Sequence, residues 1–126
     1  MVIEQQQVNT SLVSLILRSG KDYIRHGWCQ HRDAVDKHGN EVNRFSKDAV
    51  AWSTCAAVQR ANQAHGLDTL SRESYAAMTI LRKMANIGDN SNLVFWNDNS
   101  QITQGVVLSV FTKAIDYVSK NPDQID

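Results

Sequence analysis

The stretch from Ser46 to Gly66 constrains what this chain can fold into more than any other, because it reads as a helix that neighbours can approach from several sides. Alanine stands at positions 49, 51, 56, 57, 61 and 64, and Trp52 is the one aromatic exception. Small residues spread around a helical cylinder let other helices pack closely against it. Ser46 can accept from the first free backbone N–H groups, and Asp48 puts a negative charge where the helix dipole favours it. Gly66 stands where a residue with positive φ commonly ends the hydrogen-bond ladder. Ala49, Trp52, Ala56 and Arg60 share one face, and Val50, Ala57, Ala61 and Ala64 a neighbouring one. The expectation is a central core helix over residues 46–66.

The segments on either side carry their own helical signals. Asn9 or Thr10 can cap a first helix to about His26, with Leu12, Leu15, Ile16, Tyr23 and Ile24 as its apolar face and Gly27 as its end. Gly20 in its interior costs ~1 kcal/mol against alanine, which points to close packing or a local kink. The helical period vanishes from Trp28 to Phe45. Asp36-Lys37-His38-Gly39 is turn chemistry there, within a small hairpin or an ordered loop. After a link at Leu67–Leu70, Ser71 caps a third helix to about Ala85, with Tyr75, Met78 and Leu81 directed inward. Glu73 in its first turn and Arg82 and Lys83 in its last complement the dipole. Gly88 to Asn92 reads as a polar loop, Leu93-Val94-Phe95-Trp96 as a strand or extended segment, and Asn97-Asp98-Asn99-Ser100 as a turn. The last helix runs from about Thr103 to Lys120, with Val106, Val107, Val110, Phe111, Ala114 and Val118 inside, and Asn121-Pro122 stops it. The predicted fold class is mainly α: a compact four-helix domain with an irregular or short β-hairpin insertion between helices 1 and 2. One domain is expected over residues 1–126, with its core at about 9–120 and flexible termini.

Composition excludes several function classes. Thirteen basic side chains balance thirteen acidic ones, so no overall field draws the chain to nucleic acid or an anionic membrane. No apolar run approaches the roughly 20 residues that span a bilayer. The amino terminus lacks the charged start and apolar core of a signal peptide. Two cysteines, Cys29 and Cys55, require no disulfide framework, and a reducing cytoplasm is the default compartment.

Candidate chemistry concentrates between His26 and Asp33. His26, Cys29, His31 and His38 include two good zinc-ligand types, yet a structural site needs four tetrahedral ligands, usually as two tight pairs, and no second cysteine pair exists. Ordinary surface histidines and no metal are therefore expected. A Cys29–His nucleophile pair would need an orienting group such as Asp33 or Asp48. Asp33 with Asp48, or Asp98 with Asp48, could do acid–base work, although a first-turn helix acid and a turn acceptor describe Asp48 and Asp98 more simply. Arg32 is expected to pair with Asp48 or Asp33 and pin the irregular segment. No phosphate-cradling glycine loop is present, and no cofactor is implied. Trp28, Trp52 and Trp96 each sit beside polar residues, and their indole N–H groups need partners such as Asp98 or a backbone carbonyl. They either staple the loops to the core or line a pocket rimmed by Gln30, Arg32, Asp33, Asn97 and Asp98.

Three blocks stand in order along the chain. Gly27-Trp28-Cys29-Gln30 is followed by Arg32-Asp33-Ala34 and Gly39; Asp48-Ala49-Val50-Ala51-Trp52 by Ala56-Ala57 and Arg60-Ala61; and Trp96-Asn97-Asp98 leads into a Val/Leu-rich helix. Over about Leu12 to Val118 this pattern resembles a family of small uncharacterised bacterial and phage-encoded proteins, a domain of unknown function. The family usually has cysteine directly after the central tryptophan and glycine-alanine a few positions on. Here Ser53 follows Trp52 and Cys55 lies two further along, which argues against cysteine catalysis at that position. The resemblance implies a shared compact fold and supplies no activity. The leading expectation is a non-enzymatic binding or interaction protein with a protein or small-molecule partner and the option of a homodimer. Its surface would use Trp28, Gln30, Arg32, Asp33, Trp96, Asn97 and Asp98. The alternative is a small hydrolase using Cys29 or a carboxylate pair.

Overall fold

The computed structural model describes residues 8–68, 71–88 and 92–125. In chain order these form helix α1 (Thr10–His26), strands β1 (Ala34–Val35), β2 (Glu41–Val42) and β3 (Ala51–Trp52), and helices α2 (Thr54–Ala64), α3 (Arg72–Met84), α4 (Leu93–Asp98) and α5 (Gln104–Lys120). A 3₁₀ turn, Pro122–Gln124, closes the described chain. The fold is mainly helical: four principal helices and a short one, with a small antiparallel sheet between α1 and α2.

Three helices begin where the sequence supplies a cap. The side chains of Asn9, Ser71 and Thr103 accept from the backbone N–H groups of Leu12, Ser74 and Val106, each satisfying a donor the helix itself leaves open. Gly66 and Asn86 close α2 and α3 with φ of +71° and +59°. In both, the next residue's N–H reaches back to the carbonyl five before it, Leu67 to Asn62 at 2.8 Å and Ile87 to Arg82 at 3.2 Å, the usual left-handed closure of a helix end.

The centre of the bundle is α1, which lies against α2, α3 and α5. Its buried stripe is Val13, Ile16, Leu17, Gly20 and Ile24. Leu15, expected inside, is exposed, because the stripe follows 13, 16, 17, 20 and 24. At Gly20 the Phe111 ring of α5 packs directly on the α1 backbone: a Cβ there would stand 2.9 Å from that ring. The packing reason for glycine in mid-helix holds.

The expected helix over 46–66 is half right. Residues 54–64 are helical and line the core with Ala56, Ala57, Val58 and Ala61, all fully buried, while Ala64 and Val50 face outward. Residues 46–52 are not helical. Ser46 caps only a turn, its Oγ accepting from Asp48 N–H at 3.1 Å, and Asp48 is exposed and outside any helix. Ser53 is the true cap, accepting from Ala56 N–H at 3.2 Å. The reason is backbone pairing on two sides. Val50 N–H bonds Val35 O at 2.8 Å, and Trp52 N–H bonds Gly27 O at 3.1 Å. An extended 50–52 thus satisfies polar groups of two neighbours that a helix would leave open.

The hairpin alternative is the one realised between α1 and α2. Ala34 pairs with Val42 and Val35 with Glu41, and β3 adds to the other side of β1. Asp36 Oδ1 accepts from the N–H groups of His38 and Asn40, both at 2.9 Å, and Gly39 takes φ +80°. These bonds hold the Asp36 carboxyl below its ordinary pKa, the backbone bond from Asn40 being the largest cause.

Three further expectations are corrected. Leu93–Asp98 is a helix, not a strand: Asn92 accepts from Phe95 N–H at 2.8 Å, and Leu93 and Asn97, one turn apart, share the buried face. Tyr75 is 65% exposed because the inward stripe of α3 is Ser74, Ala77 and Leu81, with Ala76 and Ile80 beside it. Val106 is exposed beside buried Val107, Val110 and Phe111. The expected polar loop and link include residues 89–91 and 69–70, and the expected flexible amino terminus includes residues 1–7; these lie outside the described residues. At the other end Ile125 is buried. Among the described residues, no helix is long and apolar enough to cross a membrane.

Candidate functional site

Asn97 is the residue on which the sequence-distant parts of the candidate site converge. It is fully buried at the end of α4. Its Oδ1 accepts from Trp28 Nε1 at 2.8 Å, from Thr54 N–H at 2.9 Å and from Thr54 Oγ1 at 2.6 Å. Its Nδ2 donates to the Cys29 carbonyl and to Asp98 Oδ1, both at 3.1 Å. One amide therefore joins the segment after α1, the first residue of α2 and the end of α4. The N–H of Thr54, an orphan donor in the first turn of α2, is capped by a side chain from another helix.

The neighbouring residues extend this clasp. Gln30 Nε2 donates to the carbonyls of Asn97 and Asn99, each at 2.9 Å, and so satisfies the free end of α4. His31 adopts φ +67°, a region sparsely used by residues with a side chain. That turn aims its N–H at Asp98 Oδ1, 2.7 Å away. The His31 ring is mostly exposed, with Nδ1 4.0 Å from Asp98 Oδ2.

Of the seven predicted site residues, Trp28, Gln30, Asn97 and Asp98 meet in this network. Arg32 and Asp33 do not pair as expected. Arg32 is exposed and donates to the Gly39 carbonyl at 2.7 Å. Asp33 instead takes the guanidinium of Arg44, through Nε at 2.8 Å and Nη2 at 2.5 Å. The hairpin returns the chain so that position 44, not 32, reaches this carboxylate. Trp96 is half-buried and packs against the apolar core.

Of the two tryptophan N–H partners expected, the backbone carbonyl is found at Trp52, whereas Trp28 meets Asn97 and not Asp98. Trp52 donates to the Arg44 carbonyl at 3.2 Å. Trp52 also lies beside Tyr23, ring centres 5.0 Å apart and tilted at 58°, an arrangement aromatic quadrupoles favour. The Arg60 guanidinium stands 5.9 Å over the same Tyr23 ring. These rings fasten the sheet to α1.

The chemistry available to Cys29 follows from its surroundings. Its Sγ donates to the carbonyls of Arg32 at 3.5 Å and Asp33 at 3.8 Å. Burial first, then the charges of Asp33 and Asp98, push its pKa up to about 11. Cys55 is likewise raised to about 11, chiefly by burial. Both remain thiols at neutral pH, whereas a nucleophilic cysteine needs its thiolate. The two site carboxylates are separately engaged, Asp33 by Arg44 and Asp98 by His31 and Asn97. Among the described residues, no three of His, Cys, Asp and Glu gather so that they could hold a metal ion. His26, for example, binds the Asp22 carbonyl through Nδ1 at 2.8 Å.

Sequence reasoning missed three partners here and a pair elsewhere. Thr54, Arg44 and Asn99 contribute through folding alone, and no local pattern marks them. The pair is Ser19 Oγ and His65 Nε2, 2.8 Å apart between α1 and the end of α2. It is a hydroxyl–imidazole contact.

With this geometry in hand, residues 9–117 match a family of unknown function, DUF6197. The chain belongs to that family. The match takes in α1 through nearly all of α5, and hence every residue of the Asn97 clasp. No curated protein and no solved structure matches the chain.

Proposed function

We propose that this DUF6197 member is a non-enzymatic interaction protein that docks another protein through the outer face of α4 and the adjoining Trp28–Asp33 segment. The observation that carries the reading is Phe95, 76% exposed, next to Val94, 50% exposed. An aromatic side chain left in water on a helix whose opposite face is fixed by Asn97 is pre-positioned for burial. The backbone freedom beneath it is already spent on the helix, so it is not lost again on binding. Polar groups stand at both ends of the same helix: Asn92 and Asn99 as its caps, and the ring of His31 beside Asp98. A polar rim around an apolar anchor is the ordinary anatomy of a protein interface. The two raised thiols favour this reading over the hydrolase alternative. A bacterial or phage source and a reducing cytoplasm, in keeping with two free cysteines, belong to the same proposal.

The test is affinity capture with three forms of the protein: wild type, Phe95→Ser, and Leu15→Ser as an exposed apolar control on α1. A protein retained by wild type and by Leu15→Ser but lost from Phe95→Ser supports the proposal. The same catch from all three contradicts it. Light scattering on the three forms distinguishes self-association, in which a dimer of wild type would fall to a monomer in Phe95→Ser. Trp96→Ala is a poor probe, since half of that ring lies against the core.

A further inference from the structure

We draw no further inference here: the strongest candidate, the cleft of about 200 Å³ between α3, α5 and the carboxy-terminal turn, holds one charged side chain, Lys83, which the Tyr117 hydroxyl at 3.0 Å and ring at 4.5 Å already engage, and its Thr79 hydroxyl accepts from Arg82 at 3.2 Å, so the exposed Gln124 amide is left beside apolar walls and selects no ligand by itself.

Discussion

Two regions of this molecule are held by different forces. In the bundle, the surfaces that meet are mostly apolar, with Ile16, Leu17, Ala57, Ala61, Ala77, Leu81 and Phe111 all without exposure; a buried polar contact, Asn62 Nδ2 donating to Ser74 Oγ at 2.6 Å, adds to them between α2 and α3. At the clasp, an indole, a hydroxyl, an amide and several backbone groups meet around Asn97. Apolar packing tolerates exchange of similar volumes, at under about 1.5 kcal/mol in many cores. A buried polar network does not, because each lost partner leaves another group desolvated and unpaired. The bundle should therefore yield gradually to substitution and the clasp abruptly.

The largest expected effect is at the clasp. Asn97→Leu keeps approximate volume but leaves Trp28 Nε1 and both donors of Thr54 without their acceptor. The expected loss is about 4 kcal/mol by urea unfolding, since orphaned buried groups cost about 1–3 kcal/mol each and do not add fully. A loss no larger than that of Ile16→Val, about 1 kcal/mol, would show that the two regions do not differ.

Next comes the seam between them. A Cβ on Gly27 would drive into the Val50 carbonyl and against Ala51. These are backbone and first side-chain atoms at the start of β3 and the residue before it, which cannot swing aside. Gly27→Ala should cost about 3 kcal/mol, the upper end for overpacking. At Gly20 the obstructing atom is the edge of the Phe111 ring, which can tilt, so Gly20→Ala should cost less in the same unfolding assay. An inverted order would contradict the close seam.

The smallest effect separates the two serines. Ser53→Ala should lower stability by about 1 kcal/mol, as loss of a helix cap does. Ser46→Ala, which breaks only a local turn bond at the surface, should cost within about 0.5 kcal/mol. Thermal unfolding of both variants checks this, and the reverse order would restore a helix start at Ser46.

The same contrast decides what could be read from the chain. α1, α3 and α5 were legible end to end because their caps and periodic apolar residues lie within a few positions of one another. The start of α2 was not. Ser46 and Ser53 are both sound caps, and the choice depends on Val35 and Gly27 offering backbone partners to residues 50–52. α4 reads as a strand from Leu93-Val94-Phe95-Trp96, and only the Asn92 cap and the buried Leu93–Asn97 face make it a helix. Trp28, Gln30, Asn97 and Asp98 could be named from the sequence, but their wiring could not, and Arg32, Asp33 and Trp96 lie outside the clasp. Trp28 and Asn97 stand 69 positions apart, and no local pattern reports which donor meets which acceptor. Arg44 displaced Arg32 as the partner of Asp33 for the same reason.

Native-state hydrogen exchange across a denaturant series tests most directly whether the clasp opens as a unit distinct from the bundle. The amides of His31, Thr54 and Phe95, bonded to Asp98, Asn97 and Asn92, should exchange together. Their shared opening free energy should lie below that of Leu17 and Val110 in the bundle. If all five amides exchange only through global unfolding, with one common free energy, the division drawn here between clasp and bundle is wrong.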